Sequence, residues 1–140
     1  MSEIKLYIEK VNDNTFSSSD VPLALRILDQ DAKRGSIEFT KDDSHLFQVY
    51  TFLLQQLELV SGTSSPAVHA GDWRGTVDDL SLLKHVMDDM EREEVVSKVS
   101  WNAGGIAIFD IPDKDRYRTY VNSMMRLHLN RLYERYGKGV

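Results

Sequence analysis

The segment that follows Thr40 constrains this chain most. Thr40-Lys41-Asp42-Asp43 reads as a capping box with Asp in place of the usual Glu, so a helix starts there. The helix runs to about Val60, and Leu46, Tyr50, Leu53, Leu57 and Val60 form one stripe along it. Phe47 and Leu54 widen that stripe, and Phe52 and Leu59 add apolar surface beyond it. A helix this apolar around its circumference belongs at the centre of a core, with the rest of the chain wrapped around it. Gly62 is the expected stop.

The wrapping is of mixed type. Residues 4–9 alternate apolar and polar, which predicts a half-buried strand. Asn12-Asp13-Asn14-Thr15 and Ser17-Ser18-Ser19-Asp20 read as turn and loop. Residues 21–34 fit a helix capped by Asp20, with Pro22 in its first turn and Gly35 at its end. They also fit a strand paired with a second strand at 36–39, but Leu, Ala and Arg propensity favours the helix.

Residues 61–75 have no periodicity and are expected to form a long loop. Thr76-Val77-Asp78-Asp79 repeats the Thr-x-x-Asp start. The helix after it carries Leu80, Leu83, Met87 and Met90 on one stripe, with Val86 beside them. Val95, Val99 and Trp101 alternate with polar residues, Asn102-Ala103-Gly104-Gly105 makes a turn, and residues 106–111 read as a buried strand. This is the best hairpin signal in the chain. Pro112-Asp113 opens a last helix over about 114–136, with Tyr117, Tyr120, Val121, Met124, Leu127 or His128, and Leu132 as its apolar stripe. Strands mixed with capped helices, without regular βαβ spacing, predict a single α+β domain spanning 1–140. It holds a small, mostly antiparallel sheet, three or four helices and a long C-terminal helix.

Charge is divided unevenly along this frame. The formal net charge is −5. Residues 1–113 hold ten Lys and Arg against twenty Asp and Glu, whereas 114–140 hold seven against two. An acidic body therefore carries a basic tail, and sign asymmetry of this kind suggests interaction surfaces. The chain has no cysteine, which excludes disulfides, thiolate metal sites and cysteine nucleophiles. Met1-Ser2-Glu3-Ile4-Lys5 holds no signal-peptide core, and no apolar run approaches the roughly 20 residues that span a bilayer. A cytoplasmic location without membrane contact is the expectation.

Three places could carry chemistry. The first is His69-Ala70-Gly71-Asp72-Trp73-Arg74-Gly75, which sets a base, a carboxylate, an indole and a guanidinium within a short stretch. His69 and Asp72 could act as a base with its orienting partner. Trp73 and Arg74 could instead anchor a bound protein, since Trp and Arg are enriched at binding hot spots. A plain structural role, with Asp72 in a turn and Trp73 closing the core, explains the same residues. The second place is the acidic helix with Asp78, Asp79, Asp88 and Asp89. His85 and Asp89 are four apart and could supply two ligands to Mn²⁺, Fe²⁺ or Zn²⁺, with His69 or Asp72 completing the set. A solvated acidic face explains that pattern more simply. The third is the last helix, where Arg116 and Arg118 interleave with Tyr117 and Tyr120. Arginine among aromatics suits nucleic acid. However, Arg116 and Arg118 diverge around the helix and the acidic body repels phosphate.

There is no Walker-type glycine loop, no Gly-x-Gly-x-x-Gly and no Gly-x-Ser-x-Gly elbow. His45 is expected to be exposed beside the capping acids, and His128 to be a packing residue. The sequence therefore favours a non-enzymatic protein-binding module: an inhibitor, immunity-type factor, adaptor or assembly subunit. Its expected contact residues are Trp73, Arg74, Asp78, Asp79, Asp88, Asp89, Arg116 and Arg118. Its expected partner is another protein, of basic or nucleic-acid-binding character, or a second copy of the chain. No cofactor is expected. The alternatives are a small metal-dependent hydrolase or nuclease and, third, nucleic-acid binding through the last helix.

Overall fold

The computed structural model describes residues 4–60, 67–102 and 104–137. At its centre is the helix that follows Thr40. We name the helices α1 (Ile4–Asn12), α2 (Val21–Lys33), α3 (Lys41–Leu59), α4 (Leu80–Arg92) and α5 (Lys114–Gly137). The strands are β1 (Ala67–Asp72), β2 (Ser97–Asn102) and β3 (Ile106–Ile111). The capping box of α3 forms in full. The Thr40 hydroxyl accepts the Asp43 N–H at 3.3 Å, and the Asp43 carboxylate accepts the Thr40 N–H at 2.9 Å. Phe47, Val49, Tyr50, Phe52, Leu53, Leu54 and Leu57 are all buried, so α3 is covered around most of its girth. The fold is α+β, with five α-helices among the described residues instead of three or four.

The fifth helix is the largest departure from expectation. Residues 4–9 form no strand; they belong to α1, whose buried residues Ile4, Tyr7 and Val11 recur at helical spacing. Leu6 would face the core in a strand with Ile4 and Ile8, yet it is 57% exposed. The alternating pattern fitted both periods, and packing decided between them. α1 lies against α5 and α2, and the Tyr7 ring meets Phe16 edge-on at 6.2 Å.

The helical reading of 21–34 holds. α2 ends in a complete Schellman motif: Gly35 N–H donates to the Ala32 carbonyl and Ser36 N–H to the Asp31 carbonyl. Gly35 takes φ +78°, the left-handed conformation that this motif asks of a glycine. The Asp20 side chain does not cap α2. It turns back to accept the Ser17 N–H at 2.9 Å and pairs with Lys10 at 3.0 Å, closing a short 3-10 helix at Ser18–Asp20. Residues 36–39 form no strand either. They run irregularly, with Ile37 buried and the Phe39 ring 6.0 Å from Phe47.

The sheet has the order β1-β3-β2 and is antiparallel throughout. The β2–β3 hairpin forms as expected, with a bulge between Ser97 and Ser100 where Lys98 takes a positive φ. Its turn closes through the Gly105 N–H to the Asn102 carbonyl at 3.1 Å. Ala107, Phe109 and Ile111 on β3 face the core. The stretch 61–75 is not one loop. Residues 67–72 are β1, paired with β3 from Ala67↔Ile111 to Asp72↔Ile106. Small residues without bulky alternation left no local strand signal there; the partner strand supplies it. The expected stop at Gly62 lies outside the described residues.

α4 begins at Leu80, not at Thr76. Asp79 is its cap, accepting the Leu82 N–H at 3.1 Å, while Thr76 and Val77 turn back onto the Trp73 carbonyl. Asp113 caps α5 through the N–H groups of Asp115 and Arg116. The buried face of α5 carries Tyr117, Val121, Met125, His128, Leu129 and Leu132. It uses Met125 where Met124 was expected, and Leu127 is 66% exposed. The Tyr117 hydroxyl donates to the Leu53 carbonyl at 2.8 Å, tying α5 to the middle of α3. Among the described residues no helix is long and apolar enough to cross a membrane.

Candidate functional site

β1 delivers the chain to Trp73, whose N–H donates to the Gly105 carbonyl at 3.4 Å. The N–H groups of Thr76 and Val77 then close a turn on the Trp73 carbonyl. Arg74 reaches back to Asp72, with Nε to Oδ1 at 3.0 Å and Nη2 to Oδ2 at 2.7 Å. These hydrogen bonds hold the exposed Asp72 carboxyl down at about 2. The arm of Arg74 lies across Gly105, where a Cβ would sit 2.6 Å from its Nε and 2.8 Å from its Cγ. The Trp73–Arg74 turn is thus seated on the hairpin turn.

That seating brings the second tryptophan alongside. Trp101 stands on β2 opposite Ala107, half-buried against the core, as is Trp73. Trp73, Leu80, Lys84, Trp101, Asn102 and Gly105 line one open cleft of about 310 Å³. Lys84, on the exposed side of α4, holds its ammonium 5.4 Å from the Trp101 ring centroid, a cation–π contact. The sequence singled out Trp73 but took Trp101 only as a hairpin residue. No local pattern links two residues that meet through a turn docked on a hairpin.

The acidic residues divide by task. Asp78 is exposed and shares a two-way contact with Gln48: its carboxylate accepts Gln48 Nε2 at 2.9 Å, and its N–H donates to Gln48 Oε1 at 3.0 Å. Asp79 caps α4 and lies 4.0 Å from His45, which is partly covered where exposure was expected. Asp88 is exposed. Asp89 pairs with Arg92 and lies 3.6 Å from His85 Nε2.

The metal reading thus finds His85 and Asp89 together on α4. Among the described residues no three His, Asp or Glu groups gather to hold a metal. Asp72 directs both its oxygens to Arg74. The His69 side chain lies outside the described residues; its backbone pairs with Phe109.

On α5, Arg116 donates to the Glu93 carbonyl at 2.5 Å and lines a second cleft with Glu93, Asp113, Asp115 and Tyr120. Burial, with Asp89 and Glu93 nearby, pushes the Tyr120 hydroxyl up. Arg118 is half-buried, and its carbonyl accepts Asn122 Nδ2 at 2.9 Å. Arg118 does not line the cleft of Arg116.

One polar cluster was missed. His128 is buried and hydrogen-bonded at both ring nitrogens, to Asp43 Oδ1 at 2.8 Å and to the Tyr50 hydroxyl at 3.2 Å. The packing role expected of His128 was right in kind, but its polar partners sit far away in sequence. Comparison with protein-family models, with curated proteins and with solved structures yields no match to this chain.

Proposed function

We propose that this chain is a non-enzymatic protein-binding module, acting in the cytoplasm as an inhibitor, immunity-type factor, adaptor or assembly subunit. Its contact surface is centred on the Trp73–Trp101 cleft. The observation that carries this reading is the meeting of both tryptophans of the chain in one solvent-open cleft. Interface hot spots are enriched in tryptophan seated in well-packed pockets and surrounded by near-neutral contacts. Leu80 and the arm of Lys84 supply apolar rim, and Asn102 a polar edge. The exposed acids Asp78 and Asp88, with the acidic balance of residues 1–113, favour a partner with a basic face. A second copy of the chain is the other partner of this type.

Quantitative affinity capture tests the reading, with wild type, Trp73→Ala, Trp101→Ala and Arg126→Ala as baits. Truncating a hot-spot tryptophan costs about 2 kcal/mol or more, roughly 30-fold in affinity. A partner held by wild type and Arg126→Ala should fall away from both tryptophan variants. A captured set unchanged by either tryptophan variant refutes the reading.

A further inference from the structure

The hydrogen-bonded chain Asp43–His128–Tyr50 joins two helices whose ends are far apart in sequence. Asp43 serves two partners at once. Oδ2 accepts the Thr40 N–H at 2.9 Å and the Thr40 hydroxyl at 3.0 Å, completing the cap of α3. Oδ1 faces His128 Nε2 at 2.8 Å. On the other side of the ring, His128 Nδ1 faces the Tyr50 hydroxyl at 3.2 Å. The His128 side chain is 1% exposed, and its ring lies 5.1 Å from that of Phe47.

These partners fix the tautomer of the neutral ring. An ionised Asp43 only accepts, so Nε2 carries the hydrogen and donates. Nδ1 is then the acceptor, and the Tyr50 hydroxyl donates to it. Neutral imidazole therefore satisfies every group in the chain. A proton added at Nδ1 reverses that end, because Nδ1–H must now donate to the Tyr50 oxygen. The Tyr50 hydrogen then loses its acceptor on a side chain that is buried against the Phe47 ring. Among the described residues the Tyr50 hydroxyl has no second partner.

From α3 the titratable groups facing the ring are Asp43 and Tyr50, and from α5 itself Arg131. Asp43 favours the cation. Burial and the Arg131 charge oppose it, and they prevail, holding the imidazole below its ordinary range. Among the described residues neither α1, packed on α5, nor α2, whose Asp31 accepts from the Tyr133 hydroxyl, adds a charge that acts on the ring.

We infer that the Asp43–His128–Tyr50 chain is an acid-released clasp that fastens α5 to the N-terminal half of α3. The sign follows from linkage. A histidine harder to protonate in the folded than in the unfolded chain contributes stability that is full above the unfolded value of about 6.5. That stability is lost as pH falls from there through the folded value. The opening equilibrium of α5 then grows by up to about tenfold per pH unit across that window.

Nitrogen-resolved NMR of the His128 ring in the intact chain is the direct test. The expected result is the Nε2–H tautomer at pH 7.5 and a titration midpoint below the ordinary histidine value of about 6.5. Hydrogen exchange of α5 amides, corrected for intrinsic rates, is the second test. Protection should fall by up to about tenfold between pH 6.5 and 5.5 in wild type and stay flat in His128→Gln. The Nδ1–H tautomer, a ring already charged at pH 7.5, or the same acid response in His128→Gln would each overturn the inference. If His128→Gln does not fold, the wild-type ring titration decides alone.

Discussion

Replacing Gly71 by alanine tests how the sheet meets the central helix. Gly71 lies on β1, paired with Ala107, against the flank of α3. A Cβ there would collide with the Gln56 carboxamide oxygen, stand 2.7 Å from Gln56 Cδ and 3.1 Å from Phe52 Cζ. Gln56 is only 4% exposed and Phe52 is fully buried, so the added methyl meets a packed face of α3. The Gln56 side chain must leave its packed position, or the strand or the helix must shift. Overpacking of this kind costs about 1–3 kcal/mol. Loss of glycine freedom in the unfolded chain returns about 0.4–1 kcal/mol. The net destabilisation is about 1–2 kcal/mol.

Unfolding entropy for a chain this long is about 0.3 kcal/mol per degree, so Tm should fall by about 3–7 °C. Thermal and urea melts measure it. Gly75→Ala is the matched control: a Cβ there meets nothing within 4 Å, and its backbone is outside the left-handed region. It should be neutral or raise Tm slightly. If Gly71→Ala melts at or above wild type, the close approach of β1 to α3 is wrong.

Three further outcomes are expected. Thr40→Ala removes the cap of α3 and should cost about 1 kcal/mol in urea unfolding, with an unchanged slope. Arg74→Ala should return the Asp72 carboxyl from about 2 towards its ordinary value of 3.8, as read by carboxyl NMR titration. Asp72 is lowered in the folded state, so its contribution is present above the unfolded value and fades as pH falls through about 2. Because the pair is exposed, salt should weaken it. Burial, first of all, raises the hydroxyls of Tyr50, Tyr117 and Tyr133. Their contribution is full below about pH 10 and is lost as pH rises through the higher folded values. Phenolate absorbance from these three should therefore appear together with loss of helical circular dichroism. Full ionisation near pH 10 with the helices intact would contradict their burial.

Local signals were legible wherever one element carried its own period and punctuation. α3 showed its cap and its apolar stripe, the hairpin its alternation and glycine turn, and α5 its Pro112-Asp113 start. What escaped depended on distant partners. Ile4, Leu6 and Ile8 satisfy a strand, while Ile4, Tyr7, Ile8 and Val11 satisfy a helix; contact with α5 and α2 selects the helix. β1 is built from small residues and owes its form to β3. At the candidate site, Trp73 and Arg74 stood out as residue types. Their meeting with Trp101 needed the turn after β1 to settle on Gly105. His128 and Asp43 are 85 residues apart, and nothing local marks the pair.

The central claim is that partners engage this chain at the tryptophan cleft. Site-specific photo-crosslinking in cells tests it most directly, with the photoreactive residue replacing either Lys84 at the cleft or Arg126 on the exposed side of α5. The expected result is a discrete adduct from position 84 that disappears when Trp101 is also changed to alanine, with none from position 126. An adduct from position 126 alone, or an adduct at 84 indifferent to Trp101, would contradict the account.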